Sequence, residues 1–109
     1  MKIVVVGCGS IGVRHLRNLR DLGVGDVRAV DVDASRAELA SRETGGSFCE
    51  SLQRALDWGP DAAVICTPTH THLEIARHCL AAKAHLLIEK PLSHSLDGVR
   101  AFAEWASTV

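Results

Sequence analysis

Short runs of apolar residues recur along the chain, and each run is followed by a segment whose apolar residues repeat at helical spacing. The runs KIVVV (2–6), VRAVD (27–31), AAVIC (62–66) and LLI (86–88) predict buried strands. The segments 10–22, 34–44, 70–82 and 95–107 predict helices, and Ser51 is expected to cap a further short one. Strands and helices that alternate with short connections build a parallel sheet covered on both faces. We therefore predict one doubly wound α/β domain over residues 1–109.

Two of the predicted helices carry a clear apolar face. In the first helix, Gly12, Leu16 and Leu19 follow one another at helical spacing. In the last helix, one side collects Leu96, Val99, Ala103 and Ala106. We expect both faces to pack against the sheet.

Composition and charge narrow the class of protein. The formal net charge is −1 and aromatic residues make up 4% of the chain, which argues against nucleic acid as a partner. No apolar run approaches the ~18 residues that a membrane span needs. The N-terminus MKIVVVGCG has one lysine and then glycines, unlike a signal peptide, so we expect a cytoplasmic protein without a membrane partner.

The segment GCGSIG matches the G-x-G-x-x-G pattern of dinucleotide-binding turns and lies between a predicted strand and a predicted helix. Gly7 permits the tight turn, Gly9 lets the backbone approach a pyrophosphate, and Gly12 lets the helix lie close to the sheet. With Ser10 and Ile11, the turn brings the free N–H groups of a helix N-terminus to the phosphates. The alternative is a tight turn without a ligand.

Asp31 ends the second predicted strand, nineteen positions after Gly12. A carboxylate there accepts hydrogen bonds from both hydroxyls of the adenosine ribose and repels a 2′-phosphate, which favours NAD over NADP. Arg36 weakens this preference, because a guanidinium can bind a phosphate. A turn residue without a ligand remains the alternative for Asp31.

Two further strand ends carry unusual residues. The strand at 62–66 runs into TPTHTH, and the strand at 86–88 runs into EKP. Ligands of open parallel sheets bind outside the carboxyl ends of the strands. A cofactor that lies over Gly9 would extend its nicotinamide towards this edge.

The cysteines and most histidines are not predicted to have a function. The cysteines form no CxxC pair and are expected to be reduced, apolar residues: Cys8, Cys49, Cys66 and Cys79. A zinc site from Cys66, His70 and His72 lacks the usual ligand spacing, so no metal site is predicted. Four histidines are expected to be solvated or packed: His15, His78, His85 and His94.

The segments GCGSIGVRHLRNL, AVDVDASRA, CTPTHTH and IEKPLS, in this order, resemble the glucose–fructose oxidoreductase / inositol dehydrogenase family (Gfo/Idh/MocA) over nearly all of the chain. The resemblance implies the family's N-terminal NAD-binding Rossmann domain. It also implies that Thr67, Pro68 and His72 lie near the cofactor. Glu89 would then position the nicotinamide ribose, and Pro91 would fix the turn with a cis peptide bond.

Lys90 is the strongest catalytic candidate, because the resemblance implies that it faces the nicotinamide and the substrate hydroxyl. Oxidation of a secondary alcohol releases a hydride to NAD and a proton to a base. A free lysine, with a pKa of ~10.4, is a poor base at neutral pH, but burial beside a positively charged nicotinamide lowers that value. The alternative is a solvated lysine paired with Glu89.

The chain departs from the family pattern in two places. Lys83 stands where the family commonly has a glycine in the left-handed conformation, at a cost of about 1 kcal/mol unless the turn differs. Family members also continue into another strand and a C-terminal substrate domain, whereas this chain ends at Val109. We expect a sheet truncated before its last strand, and with it marginal stability, dimerisation through the edge of the strand at 86–88, or swapping of the terminal helix.

Two hypotheses about function follow. The first is the NAD-binding half of an oxidoreductase that transfers a hydride on a sugar, polyol or nucleotide-sugar hydroxyl, inactive alone, and either a homo-oligomer or paired with a partner chain. The second is a non-catalytic nucleotide-binding or interaction module, or a subunit of a split enzyme. A methyltransferase that binds adenosylmethionine is disfavoured, because it leaves the EKP segment unexplained.

Overall fold

In the computed structural model, which describes residues 1–109, five strands alternate with five helices. The strands are β1 (Lys2–Val6), β2 (Asp26–Val30), β3 (Ser47–Phe48), β4 (Ala62–Ile65) and β5 (His85–Ile88). The helices are α1 (Ser10–Asp21), α2 (Ala34–Thr44), α3 (Leu52–Asp57), α4 (His72–Ala81) and α5 (Val99–Ala106), and a 3₁₀ turn (Thr69–Thr71) precedes α4. The strands form one parallel sheet in the order β3-β2-β1-β4-β5, which confirms the predicted doubly wound fold.

β1 lies at the centre of the sheet and is buried on both faces. Val4 and Val6 belong to an apolar cluster that includes residues of α3, α4 and α5. Ile3 and Val5 belong to the opposite cluster, with residues of α1 and α2. Successive side chains of a strand point to opposite faces, so an uninterrupted apolar run supplies both cores.

The register of the sheet brings the strand ends to one edge. Val6 pairs with both Val30 and Ile65, and Ile65 also pairs with Ile88. The carboxyl ends of β1, β2, β4 and β5 are therefore level. The segments that leave the sheet at this edge begin at Gly7, Asp31, Cys66 and Glu89.

Local signals at the helix ends were predicted correctly in two cases. Ser51 caps α3, because its hydroxyl oxygen accepts a hydrogen bond of 3.1 Å from the Arg54 N–H. Lys83, just after α4, has φ 64 and is the only non-glycine residue with a positive φ. The turn thus keeps the left-handed geometry, and a lysine occupies it.

The strands differ from the prediction in number and in their bounds. Strand β3 was not predicted, because two residues are too few to show a period; it pairs with β2 through Arg28 and Ser47. The second strand spans Asp26–Val30 rather than the predicted residues 27–31. Asp31 therefore lies just beyond the end of β2.

The last helix is shorter than predicted, and only part of the predicted apolar face is buried. It begins at Val99 rather than at residue 95, directly after Gly98, which has φ 75. Leu96 is therefore outside the helix and 90% exposed, and Ala103 is exposed as well. Val99 and Ala106 of the predicted face are partly buried and pack on the same cluster as Phe102, the buried residue of this helix that was not predicted.

The outer strand β5 pairs only with β4, and its Leu87 is half exposed. None of the helices combines the length and the apolar character that a membrane crossing requires.

Candidate functional site

A cavity of about 490 Å³ opens at the carboxyl edge of the sheet, between the loops after β1, β2 and β4. Of the residues predicted to bind a cofactor, it collects Gly7, Gly9, Ser10, Ile11, Asp31, Thr67 and Pro68. The other predicted residues do not line it: Gly12, His72, Glu89, Lys90 and Pro91. The predicted set therefore divides into a cavity lining, Gly12 inside α1, and a group of four residues beyond the ends of β4 and β5.

The three glycines of the turn have different surroundings. Gly7 has φ 96, and a Cβ there would lie 2.7 Å from the carbonyl carbon of Cys66. At Gly12, a Cβ would lie 1.8 Å from the carbonyl oxygen of Gly7, so α1 packs directly on the turn. A Cβ at Gly9 would meet no atom within 4 Å, so this glycine faces open space. Gly7 and Gly12 thus serve packing, and Gly9 leaves room for a ligand.

The N-terminus of α1 is free to bind an anion. Its N-cap residue is Gly9, no side chain caps the helix, and no acidic residue stands in its first turn. The first N–H groups of a helix have no partner within the helix, and the helix dipole favours a negative charge there. Ser10 and Ile11, which begin the helix, also line the cavity.

Asp31 is a buried carboxylate that holds the glycine turn in place. Its Oδ2 accepts a hydrogen bond of 2.8 Å from the Cys8 N–H, and its Oδ1 accepts one of 2.9 Å from the Asp33 N–H. Because each carboxylate oxygen has more than one acceptor site, both can still accept from a ligand. Arg36 lines the same cavity and supplies a positive charge near this carboxylate.

The segment after β4 is held by hydrogen bonds among its own residues. The Thr71 hydroxyl lies 2.7 Å from Oγ1 of Thr67 and 2.6 Å from the carbonyl oxygen of Pro68. His72 is 1% exposed, and its Nε2 lies 2.8 Å from the carbonyl oxygen of Thr67. Its Nδ1 lies 3.0 Å from the carbonyl oxygen of Pro91, so His72 joins the ends of β4 and β5.

Glu89 begins the turn after β5 and contacts α1. Nε2 of His15 donates a hydrogen bond of 2.7 Å to Oε1 of Glu89, and this bond holds the pKa of Glu89 below its ordinary value. The backbone N–H of Glu89 donates to the carbonyl oxygen of Ile65 on β4. His15 was expected to be solvated or packed, and its contact with Glu89 was not predicted.

Lys90 is exposed and forms no ion pair. This exposure supports the alternative of a solvated lysine, but the pairing with Glu89 is not found, because the Glu89 carboxylate binds His15 instead. The Lys90–Pro91 peptide bond is cis, as the resemblance implied.

Burial raises the pKa of both thiols at the cavity, those of Cys8 and Cys66, above the ordinary value. Burial, with the charge of Asp31 second, raises the pKa of Cys8 to about 11. Burial, with the charge of Glu89 second, raises the pKa of Cys66 to about 12. All four cysteines are free, and no cluster of three or more histidine, cysteine or acidic side chains has the arrangement of a metal site.

This geometry agrees with a comparison against protein families. The model of an oxidoreductase family with an NAD-binding Rossmann fold matches residues 1–108. The chain belongs to the Gfo/Idh/MocA family. Within this family domain, the glycine turn and Asp31 follow the carboxyl ends of β1 and β2, the edge outside which ligands of open parallel sheets bind.

Two relatives of this Gfo/Idh/MocA domain are dehydrogenases by name. The myo-inositol 2-dehydrogenase of Thermotoga maritima is 33% identical over 102 residues, which cover 91% of this chain and 30% of that protein. The solved UDP-N-acetylglucosamine 3-dehydrogenase GnnA of Acidithiobacillus ferrooxidans has a TM-score of 0.87 at 29% identity, over 99% of this chain and 35% of its own. GenD2 from gentamicin A biosynthesis, solved in complex with NAD, has a TM-score of 0.87 at 30% identity, over 99% of this chain and 32% of the GenD2 chain. The chain thus spans about a third of the length of these relatives.

The contact of His15 with Glu89 is a feature at this edge of the Gfo/Idh/MocA domain that sequence reasoning missed. His15 lies on α1, one turn after Ile11, and its partner Glu89 is 74 positions away. No local pattern reports a contact at that separation. The clue in the sequence was indirect, since the helix of the glycine turn and the end of β5 both reach the same edge of the sheet.

Proposed function

We propose that this chain is the NAD-binding part of an oxidoreductase that transfers a hydride between NAD and a hydroxyl of a sugar, polyol or nucleotide sugar. One observation carries the proposal: the glycine turn, the uncapped N-terminus of α1 and the Asp31 carboxylate line one cavity. These are the three groups that a dinucleotide requires for its pyrophosphate and its adenosine ribose.

The residues present fit the phosphate half of NAD. Gly9 offers open space where a pyrophosphate must approach the backbone, and the N–H groups of Ser10 and Ile11 lie at the helix end beside it. The two oxygens of Asp31 retain acceptor capacity for the ribose hydroxyls. Thr67 and Pro68 continue the lining towards the end of β4, which is the route to the nicotinamide.

The residues at the end of β5 fit the reacting half. Bound NAD supplies the carbon that accepts the hydride from the C–H bond of the substrate. The proton of the substrate O–H then needs a base, and we assign that role to Lys90, whose amine forms no ion pair. Glu89, held by His15, would position the nicotinamide ribose.

The proposed substrate class follows from the relatives. The names of two of them specify myo-inositol and UDP-N-acetylglucosamine, which share secondary hydroxyls on a six-membered ring. Because the chain spans about a third of those proteins, we infer that substrate contacts come from a further part of the protein or from another chain. The free edge of β5 is the surface on which such pairing would begin.

Titration with NADH, followed by its fluorescence, tests the proposal. Gly9→Ala is the sharpest variant, because its Cβ meets no protein atom within 4 Å and stands only where the pyrophosphate would lie. Gly25→Ala is the matched control, since a Cβ there also meets nothing and Gly25 does not line the cavity. We expect Gly9→Ala to lower the affinity for NADH at least tenfold and Gly25→Ala to leave it unchanged. Absence of NADH binding at millimolar concentration would remove the proposal.

The preference for NAD over NADP has its own test. Asp31 favours NAD by repelling a 2′-phosphate, and Arg36 opposes this within the same cavity. We expect NADH to bind more tightly than NADPH, and Arg36→Ala to widen the difference. An equal affinity of the unchanged chain for both cofactors would contradict the assignment.

A non-catalytic nucleotide-binding module is the second candidate. It is supported by the position of Glu89 and Lys90, which do not line the cavity formed by the glycine turn and Asp31. Turnover restored by adding the remaining two thirds of a relative as a separate chain would favour the enzyme. Tight NADH binding without turnover in any such mixture would favour the module.

A further inference from the structure

One hydrogen bond connects the helix of the glycine turn with the turn after β5. Nε2 of His15 donates to Oε1 of Glu89 over 2.7 Å, and Glu89 forms no other ion pair. His15 lies one helical turn after Ile11, and residues four apart share a face of a helix. Because Ile11 lines the cavity, this face of α1 extends from the cavity to the Glu89 carboxylate.

The Glu89 carboxylate lies beside the wall of the cavity. Its charge contributes, after burial, to the raised pKa of Cys66, and Cys66 lines the cavity. The backbone N–H of Glu89 donates a hydrogen bond of 3.0 Å to the carbonyl oxygen of Ile65, the residue before Cys66. The backbone of Glu89 is therefore fixed to the end of β4, and the orientation of its side chain is what remains to be set.

The contact with His15 sets that orientation. The side chain of Glu89 is 29% exposed, so burial alone does not restrict it to one rotamer. A hydrogen bond that selects one rotamer before a ligand arrives reduces the entropy lost on binding. An ionised carboxylate has about four acceptor sites on its two oxygens, so Glu89 can accept from a ligand hydroxyl while His15 holds it.

We propose that His15 is a positioning residue, whose hydrogen bond orients the Glu89 carboxylate towards the nicotinamide ribose of NAD. The inference rests on the proposed function, in which Glu89 positions that ribose. His15 does not line the cavity, so it acts through Glu89 rather than by touching the cofactor. Its effect is confined to the nicotinamide half, because the proposed phosphate and adenosine contacts are made by Gly9 and Asp31.

Calorimetric titration with NADH and with ADP separates the two halves of the cofactor. ADP carries the adenosine and both phosphates, but neither the nicotinamide nor its ribose. We expect His15→Ala to lower the affinity for NADH about fivefold, the ordinary net value of one hydrogen bond, and to leave the affinity for ADP unchanged. His15→Gln keeps an N–H donor and should restore most of the NADH affinity. His78→Ala, which removes an exposed histidine of α4, should change neither affinity.

A double variant tests whether His15 acts through Glu89. Glu89→Ala should lower the affinity for NADH, and His15→Ala added to it should cause no further loss, because the partner of His15 is gone. An equal loss of NADH and ADP affinity in His15→Ala, or an undiminished further loss in the double variant, overturns the inference and leaves the proposed function standing. An unchanged chain that binds neither NADH nor ADP overturns both.

Discussion

Nε2 of His15 lies 2.7 Å from Oε1 of Glu89, and the two residues are 74 positions apart in the chain. His15 belongs to the helix that follows the glycine turn, and Glu89 begins the turn that carries Lys90. The contact therefore connects the phosphate end of the proposed site with its reacting end. Both side chains are about a quarter exposed, so the pair lies at the rim of the site and partly in water.

The first prediction concerns the titration of Glu89. The hydrogen bond from His15 is the main cause of its lowered pKa, so His15→Ala should raise the pKa of Glu89 towards the ordinary value. Because the folded-state pKa is the lower one, the stability from this pair is present above the unfolded-state value and is lost as pH falls through the folded-state value. Carboxyl carbon NMR measures the pKa, with His78→Ala as the control. An unchanged pKa in His15→Ala would contradict the assignment.

The second prediction separates the packing role of one glycine from the ligand role of another. A Cβ at Gly12 would lie 1.8 Å from a backbone oxygen that cannot move cheaply, so Gly12→Ala should destabilise the fold by more than about 3 kcal/mol. Gly9→Ala should leave stability within about 1 kcal/mol, the usual range for a Gly-to-Ala change at an unstrained position. Urea unfolding of the two variants and of Gly25→Ala measures the difference. Equal stability of the three would show that α1 does not pack on the turn.

The architecture was readable from the sequence because its signals are local. The run KIVVV predicts a strand buried on both faces, and the glycine turn follows it directly. Contacts between distant segments were not readable in this way. The pairing of His15 with Glu89 and the two carbonyl contacts of His72 depend on which strand ends lie side by side. The last helix was misread for a related reason, since Leu96 fits the helical period but lies outside the helix.

The third prediction tests that corrected helix face. Phe102 is 6% exposed and packs in the cluster between α4, α5 and the sheet, so Phe102→Ala should cost about 3–5 kcal/mol. Leu96 is 90% exposed, so Leu96→Ala should change stability by less than about 0.5 kcal/mol. Thermal or urea unfolding measures both. A larger loss of stability from Leu96→Ala than from Phe102→Ala would show that Leu96 packs against the core, as the sequence pattern predicted.

The fourth prediction concerns the turn after α4. Lys83 has φ 64, a conformation that costs a residue with a Cβ roughly 1 kcal/mol and costs glycine nothing. Lys83→Gly should therefore stabilise the chain by about 0.5–1 kcal/mol, the gain being reduced by the greater freedom of glycine in the unfolded state. Ala82→Gly is the matched control, because Ala82 has φ −82, where glycine gains nothing and should destabilise. Urea unfolding measures both variants, and the dependence of the unfolding free energy on urea concentration should be unchanged. Stabilisation by Ala82→Gly, with none by Lys83→Gly, would contradict the left-handed assignment.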